Sequence, residues 1–286
     1  MSTPTGRSAE HAVPQAVPAV VRATVPSGWR ARATVWEYLV LTWRPYFLSG
    51  LASAVIAPLL YLLALGFGMG SLIEARGTGA LGGVRYVEFI GPALLCAAAL
   101  QTSFGESSWA LFGRFKWHRT LWGITSTPIT PAQAAEGHVL FIATRVAVSS
   151  VLYYLVLLAF GAAGGGAGVL MLPVAVLTAL SCAVWVMALS ATIDDDGPAA
   201  FNLALRFGII PMTLFSASFF PITQLPWAVR WVAFLSPLWH GNELARGAAI
   251  GGLPGWQAAG HLAFLVALSI TGFVVMRRRF DVRLVV

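Results

Sequence analysis

Long apolar stretches separated by short polar ones set the pattern of this chain. Residues 46–69 carry no charge, and 89–112 carry only Glu106. The run 139–163 carries only Arg145, 169–193 none, 198–221 only Arg206, and 256–276 none. A helix needs about 20 apolar residues to cross a bilayer. The pattern therefore predicts an all-α integral membrane fold with six transmembrane helices over those ranges. Merging 198–221 with the segment after it, as a re-entrant element, leaves a count of five.

Two further stretches are apolar without being spans. In 29–44, Trp29, Ala33, Trp36, Leu39, Val40 and Trp43 share an arc of roughly 120° on a helical wheel, with Arg30, Glu37 and Arg44 outside it. This predicts an N-terminal amphipathic interfacial helix with Trp29, Trp36 and Trp43 in the headgroup layer, after which Pro45 turns the chain into the membrane. Segment 222–255 is mostly apolar but is broken by Pro226, Pro237 and Pro254. Neither 226–235 nor 237–248 is long enough to span, which predicts two short re-entrant helices at the outer leaflet, packed on protein. The first 28 residues hold Pro4, Pro14, Pro18 and Pro26, a spacing that precludes a long helix. They are expected to form a disordered tail without the core and cleavage site of a signal peptide. Residues 29–286 then form one transmembrane domain.

Composition supports the membrane reading. Of the 286 residues, 58% are hydrophobic and 10% charged, against roughly 25% charged in a soluble domain. The formal charge of +7 gains meaning from its placement. With a cytoplasmic N-terminus, the inside segments 1–45, 113–138, 194–197 and 277–286 hold twelve basic residues and the outside segments four. Positive residues favour the cytoplasmic side, so both termini are expected in the cytoplasm of a cell-membrane protein.

Candidate chemistry is sparse. The single lysine, Lys116, is followed by Trp117 and lacks the glycines of a phosphate-binding loop, so any ATP must be hydrolysed by another chain. No histidine pair has metal-ligand spacing, and no Gly-x-Ser-x-Gly elbow occurs. Cys96 and Cys182 suggest neither disulfide nor metal. "GAAGGGAG" at 161–168 reads as a flexible turn, and "DDD" at 194–196 as a solvated turn that caps a helix. Arg145 is close enough to its helix start to snorkel. Arg206 lies deeper, where it would pair with Glu106, line a pathway, or mark a span that begins later.

The least membrane-like stretch in the middle of the chain is "GRFKWHRTLW", residues 113–122. It has too few charges for nucleic acid. As a helix it shows two apolar edges, Trp117, Leu121 and Ile124 opposite Phe115 and Trp122, separated by basic residues. One edge suits the membrane helices, and the other needs a partner.

"FGRFKWHRTLWGITSTPIT" (112–130) resembles the cytoplasmic segment of type-2 ABC exporter permeases. The likeness is to the branch with nodulation lipo-oligosaccharide exporters and daunorubicin-type resistance permeases. "LFSASFFPITQLPWAVRWVAFLSPLWHGNELAR" (214–246) resembles that family's late motif through Phe219–Phe220–Pro221, Leu225–Pro226, Pro237–Leu238–Trp239–His240 and Arg246. Ser216–Ala217 stands where many members carry Ser-Gly, a departure expected to alter helix packing near the outer leaflet.

The resemblance implies a permease subunit of an ATP-driven exporter. It would have no cofactor of its own, ATP and magnesium belonging to a separate cytoplasmic ATPase, and a second permease, identical or not, completing the pathway. Arg114, Phe115, Lys116, Trp117, Arg119 and Trp122 would couple to the ATPase. Glu106 and Arg206 would line the pathway, and Phe219, Phe220, Pro221, Pro226, Pro237 and His240 would form the outer gate. The substrate class would be an amphipathic drug, lipid or lipid-linked saccharide. The alternatives are a secondary transporter, which calls for internal repeats and mid-membrane charges, and a lipid-processing membrane enzyme, which calls for clustered catalytic groups at one interface.

Overall fold

The structure, a computed structural model, describes residues 28–285 apart from 76, 82, 195 and 196. Of the tail expected over 1–28, residues 1–27 lie outside the described residues and Gly28 opens the first helix; most of the acidic turn at 194–196 also lies outside them.

All regular structure among the described residues is helical. Helix α1 is Gly28–Trp43. A 3-10 turn at Arg44–Tyr46, with Pro45 inside it, redirects the chain into α2, helical from 47 to 75 through a π turn at Leu62–Met69. Helix α3 is Tyr86–Lys116, interrupted by a π turn at Glu106–Ala110. A short α4, Thr120–Thr125, precedes α5, Pro131–Ala159, and α6, Gly166–Ser190. Helices α7 (Gly197–Phe215), α8 (Trp227–Leu235), α9 (Pro237–Ile250) and α10 (Gly255–Leu284) complete the chain.

Among the described residues, five helices are long and apolar enough to cross a membrane: α3, α5, α6, α7 and α10. Segment 198–221 is therefore a helix of spanning length, although it stops at Phe215, six residues short of its expected end. From residue 47 on, the expected first span, 46–69, lies within α2, whose Leu59–Ala75 part forms a shorter apolar helix.

Helix α3 forms the centre of the bundle. In its most apolar stretch 78% of residues are buried, against 11% in α7 and 17% in α10. Ile90, Leu94, Leu95, Cys96 and Leu100 give it apolar residues on several sides, the mark of a helix enclosed by others. Gly272 lets α10 close on α6: an added Cβ would lie 2.5 Å from a Val184 methyl and 2.6 Å from Trp185 Nε1.

The caps explain where two of these helices begin. Thr130 and Gln133 form a reciprocal capping box ahead of α5, with Pro131 at its first position, where no N–H is needed. At the start of α3 only one half of such a box forms: the Glu88 carboxylate accepts the Arg85 backbone N–H at 3.0 Å and its side-chain Nε–H at 2.9 Å. The glycine stretch at 161–168 is anchored at Ala162, Ala163 and Gly168, while 164–167 are exposed. Gly161 and Gly164 take positive φ, Ala162 and Ala163 are buried, and a Cβ on Gly164 would strike the Ala249 carbonyl of α9 at 2.1 Å.

Candidate functional site

Residues 113–122 do not form one helix. Leu111–Lys116 is the last stretch of α3, and the chain breaks at Trp117–Arg119, where Arg119 takes a left-handed conformation (φ 51°), before α4 begins at Thr120. Such a φ is uncommon outside glycine and fixes a sharp reversal. The break divides the six proposed coupling residues. Phe115 is interior, 2% exposed, with its ring edge-on to Phe280 of α10 at 5.1 Å. It supports the turn from below and is not part of the surface offered to a partner. Arg114 is half-buried over the Phe141 ring at 6.0 Å. Trp117 is 60% exposed, Lys116 and Arg119 are exposed, and Trp122 is half-buried.

Beside this turn lies a cavity of about 660 Å³ between α4, the end of α6 and the end of α10. Lys116, Arg119, Trp122, Asp194, Arg279 and Arg283 contribute to its wall. Arg283 anchors the wall. It donates to the Ser190 and Ile193 carbonyls at 2.7 and 2.6 Å, lies 3.6 Å from Asp194, and stacks over Phe115 at 4.4 Å. A cation on the last carbonyls of α6 suits the negative end of that helix.

Helix α1 lies along the first half of α5. Its buried stripe is Ala31, Val35 and Leu39; of these only Leu39 belongs to the arc read from the sequence, so the helix packs by a stripe beside that arc. Trp36 Nε1 donates to Thr144 at 2.9 Å, Trp43 meets Phe141 edge-on, and Trp29 is 63% exposed. The three tryptophans thus stand at the margin of the contact with α5. Glu136 of α5 ties three helices, pairing with Arg32 of α1 and, at 3.3 Å, with Arg277 of α10.

Glu106 and Arg206 do not pair. Glu106 faces Arg145 at 3.1 Å, and Arg145 stacks over the Trp43 ring at 4.6 Å. The arginine expected to snorkel is instead held between a carboxylate and an aromatic face. Arg206 lies on the exposed side of a π turn in α7, Ala204–Ile209. A second cavity, about 540 Å³ and mostly apolar, opens between α2, α3 and α7, with Tyr61, Gln101, Phe104, Trp109, Ile210 and Phe219 in its wall. Neither Glu106 nor Arg206 lines it.

The late motif forms a break between α7 and α8. Helix α7 stops at Phe215, and Ala217 takes a positive φ of 55°. The position where the family pattern has glycine is therefore one whose backbone favours glycine. Five buried polar residues hold the break. Ser216 and Ser236 share a hydroxyl hydrogen bond at 2.6 Å, and Asn242 Nδ2 donates to the Ser216 carbonyl and the Ser218 hydroxyl at 2.9 and 3.1 Å. Arg246, 8% exposed, donates to the carbonyls of Phe89, Ala217 and Ser218 and to Glu243, and lies over the Phe89 ring at 3.9 Å.

Of the proposed gate residues, Phe219 accepts a bond from Tyr86 Oη at 3.2 Å, and Phe220 is 37% exposed. Pro221, Pro226 and Pro237 each stand at the start of a helical turn. His240 is buried with Nδ1 2.8 Å from Nδ1 of His261 and Nε2 3.0 Å from the Phe234 carbonyl. That carbonyl requires an N–H on Nε2, so the neutral His240 accepts at Nδ1 and His261 donates. Burial pushes His240 down to about 4, with the Phe234 hydrogen bond opposing and His261 adding to the shift. The His240–His261 pair and the Asn242 contacts have no signal in sequence spacing. Arg246 was visible only as one basic residue of the motif. No cluster of three metal-binding side chains occurs among the described residues.

Comparison with known proteins places this architecture. Residues 31–250 match the ABC-2 type transporter family. The chain is 28% identical over 261 residues to nodulation protein J of Rhizobium leguminosarum bv. viciae, covering 90% of this chain and 98% of that protein. It is 28% identical over 263 residues to nodulation protein J of Rhizobium meliloti strain 1021, covering 91% and 97%. For the Neorhizobium galegae protein of that name, the identity is 27% over 259 residues, covering 89% and 96%.

Proposed function

The chain belongs to the ABC-2 type transporter family, and on that premise we propose that it is the permease subunit of an ATP-driven exporter, coupled to a separate cytoplasmic ATPase. It crosses the cell membrane six times, α2 supplying the first crossing, with both termini in the cytoplasm. A second permease, identical or related, completes the pathway.

One observation carries the coupling assignment. The turn at 117–119 is fixed from below by Phe115 on Phe280, yet it holds Trp117 outward beside a basic cavity. A rigid aromatic and basic knob is what a partner's groove needs, since exposed aromatic and arginine side chains supply most interface energy. Lys116 and Arg119 set its register, and Trp122 closes the cavity wall. The cavity between α2, α3 and α7, with aromatic walls and one amide at Gln101, suits an amphipathic drug, lipid or lipid-linked saccharide. The break at 216–221 and helices α8 and α9 close the outer end.

Purification from native membranes is expected to bring down an ATP-hydrolysing subunit. Trp117→Ala should weaken that capture at least about tenfold, a hot-spot loss, and lower Tm by no more than about 5 °C, the scale of its one edge-on ring contact, with Phe112 at 5.7 Å. Unchanged capture and transport by Trp117→Ala would sink the coupling assignment. A wild-type chain that transports without any ATPase would sink the exporter reading as a whole.

A further inference from the structure

A third cavity, about 550 Å³, lies where α1, the end of α3 and the middle of α5 meet. It is separate from the basic cavity beside Trp117 and from the apolar cavity between α2, α3 and α7. Its wall includes Tyr38, Trp43, Glu106, Arg114, Thr120 and Arg145. Glu106 and Arg145 neutralise each other. Arg114 makes no ion pair of its own among the described residues, since Glu106, the carboxylate that acts on it, is already paired with Arg145; its guanidinium lies over the Phe141 ring. The Thr120 hydroxyl is buried without a hydrogen-bond partner among the described residues. The cavity therefore has one positive charge and several donors in excess of its acceptors.

Its depth is set by α1, which packs on α5 between Glu136 and Thr144 just before the chain turns into α2. Tyr38 and Tyr46 are exposed at its rim, the residue type that marks a lipid–water boundary. An opening at that level, rimmed by tyrosines and with an unpaired guanidinium inside, fits a phosphate attached to acyl chains.

We propose that this cavity binds the phosphodiester headgroup of an anionic phospholipid, with Arg114 as the principal contact and Tyr38 and Trp43 flanking the glycerol end. The lipid bridges the interfacial helix α1 and the cytoplasmic end of α3. The assignment depends on the membrane placement of α1 and not on the ATPase, so it stands or falls separately from the coupling assignment.

The full-length chain, purified in a non-ionic detergent, is exchanged into phosphatidylglycerol or phosphatidylcholine and washed, and bound lipid is counted by native mass spectrometry. One phosphatidylglycerol per chain is expected to survive washing that removes phosphatidylcholine. Arg114→Gln should weaken its retention about tenfold, the scale of one charge-assisted contact. Arg114→Lys should keep most of it, and Arg30→Gln, on the exposed face of α1, should leave it unchanged. Equal retention of the two lipids by the wild-type chain overturns the proposal, and this comparison needs no variant to fold. So does wild-type retention by Arg114→Gln. Displacement of the lipid by millimolar inorganic phosphate would assign the cavity to free phosphate instead.

Discussion

Arg246 is the side chain on which the outer break depends, and removing it has a calculable cost. Its guanidinium supplies the carbonyls of Ala217 and Ser218, which lie in non-helical backbone, as well as Phe89 and the half-exposed carboxylate of Glu243. A buried acceptor left without its donor costs about 1–3 kcal/mol, and breaking a buried charged pair costs about 3–5 kcal/mol. These estimates overlap in what they count, so Arg246→Ala should destabilise by about 3–5 kcal/mol. A chain of this size loses about 2–4 °C per kcal/mol, which puts the fall in Tm near 10 °C. Arg246→Lys keeps the charge toward Glu243 but loses the planar fork and the stacking on Phe89, and should cost about 1–3 kcal/mol. The assay is thermal unfolding in detergent, followed by tryptophan fluorescence. A Tm for Arg246→Ala within about 2 °C of wild type would show that the break is held by something else. Full recovery by lysine would show that fork geometry plays no part.

Glu106→Gln leaves Arg145 stacked on Trp43 without its counter-charge and should lower stability by about 1–3 kcal/mol. The double variant Glu106→Gln/Arg145→Gln should recover part of that loss in a thermal-unfolding cycle. His240 is held well below the ordinary 6.5 of an unfolded histidine. The unfolded chain therefore takes up a proton that the folded one refuses. The His240 contribution to stability should be constant above pH about 6.5 and fall, by about 3 kcal/mol at most, as pH drops toward about 4; His240→Gln should remove that part of the slope in a pH series of unfolding scans. Gly272→Ala puts a methyl into the contact between α10 and α6 and should cost about 1–3 kcal/mol, read as a lower Tm with unchanged helix content by circular dichroism.

Much of this architecture was legible in the sequence because the bilayer reduces span-finding to counting apolar residues. A helix just before Pro45, the turn at Pro45 and the pair α8 and α9 follow from tryptophan spacing and proline placement alone. The sites were less legible, for a consistent reason. Periodicity states which face of a helix is apolar but not which neighbour covers it. Phe115 and Trp117 lie on opposite edges of one predicted element, and only the packing of α10 decides that the first is buried. The sequence offers Glu106 only the deeper Arg206 and gives Arg145 a snorkelling role. The choice of Arg145 is made by α5 lying beside α3, a long-range contact that no local pattern encodes. The glycine stretch at 161–168 looked mobile because the carbonyl it abuts, that of Ala249, is more than 80 residues away.

Helix α3 connects the two ends of the proposed mechanism. Over its 31 residues it rises about 46 Å. At one end the Phe89 carbonyl and ring hold Arg246 and, through it, the break at 216–218. At the other end α3 runs directly into Lys116 and the turn that presents Trp117. A helix this enclosed moves as a unit, because close-packed interiors do not deform continuously. Its π turn at 106–110 is the natural place for a change of register. That turn carries Glu106, which faces the lipid cavity, and Ser107, whose carbonyl accepts the Ser190 hydroxyl of α6 at 2.6 Å. A push on Trp117 that slid or rotated α3 would therefore strain the contacts of Arg246 at the far end without any chain of intermediate switches. The two motifs that resemble the family, more than 100 residues apart in sequence, are the two ends of this one helix's contacts.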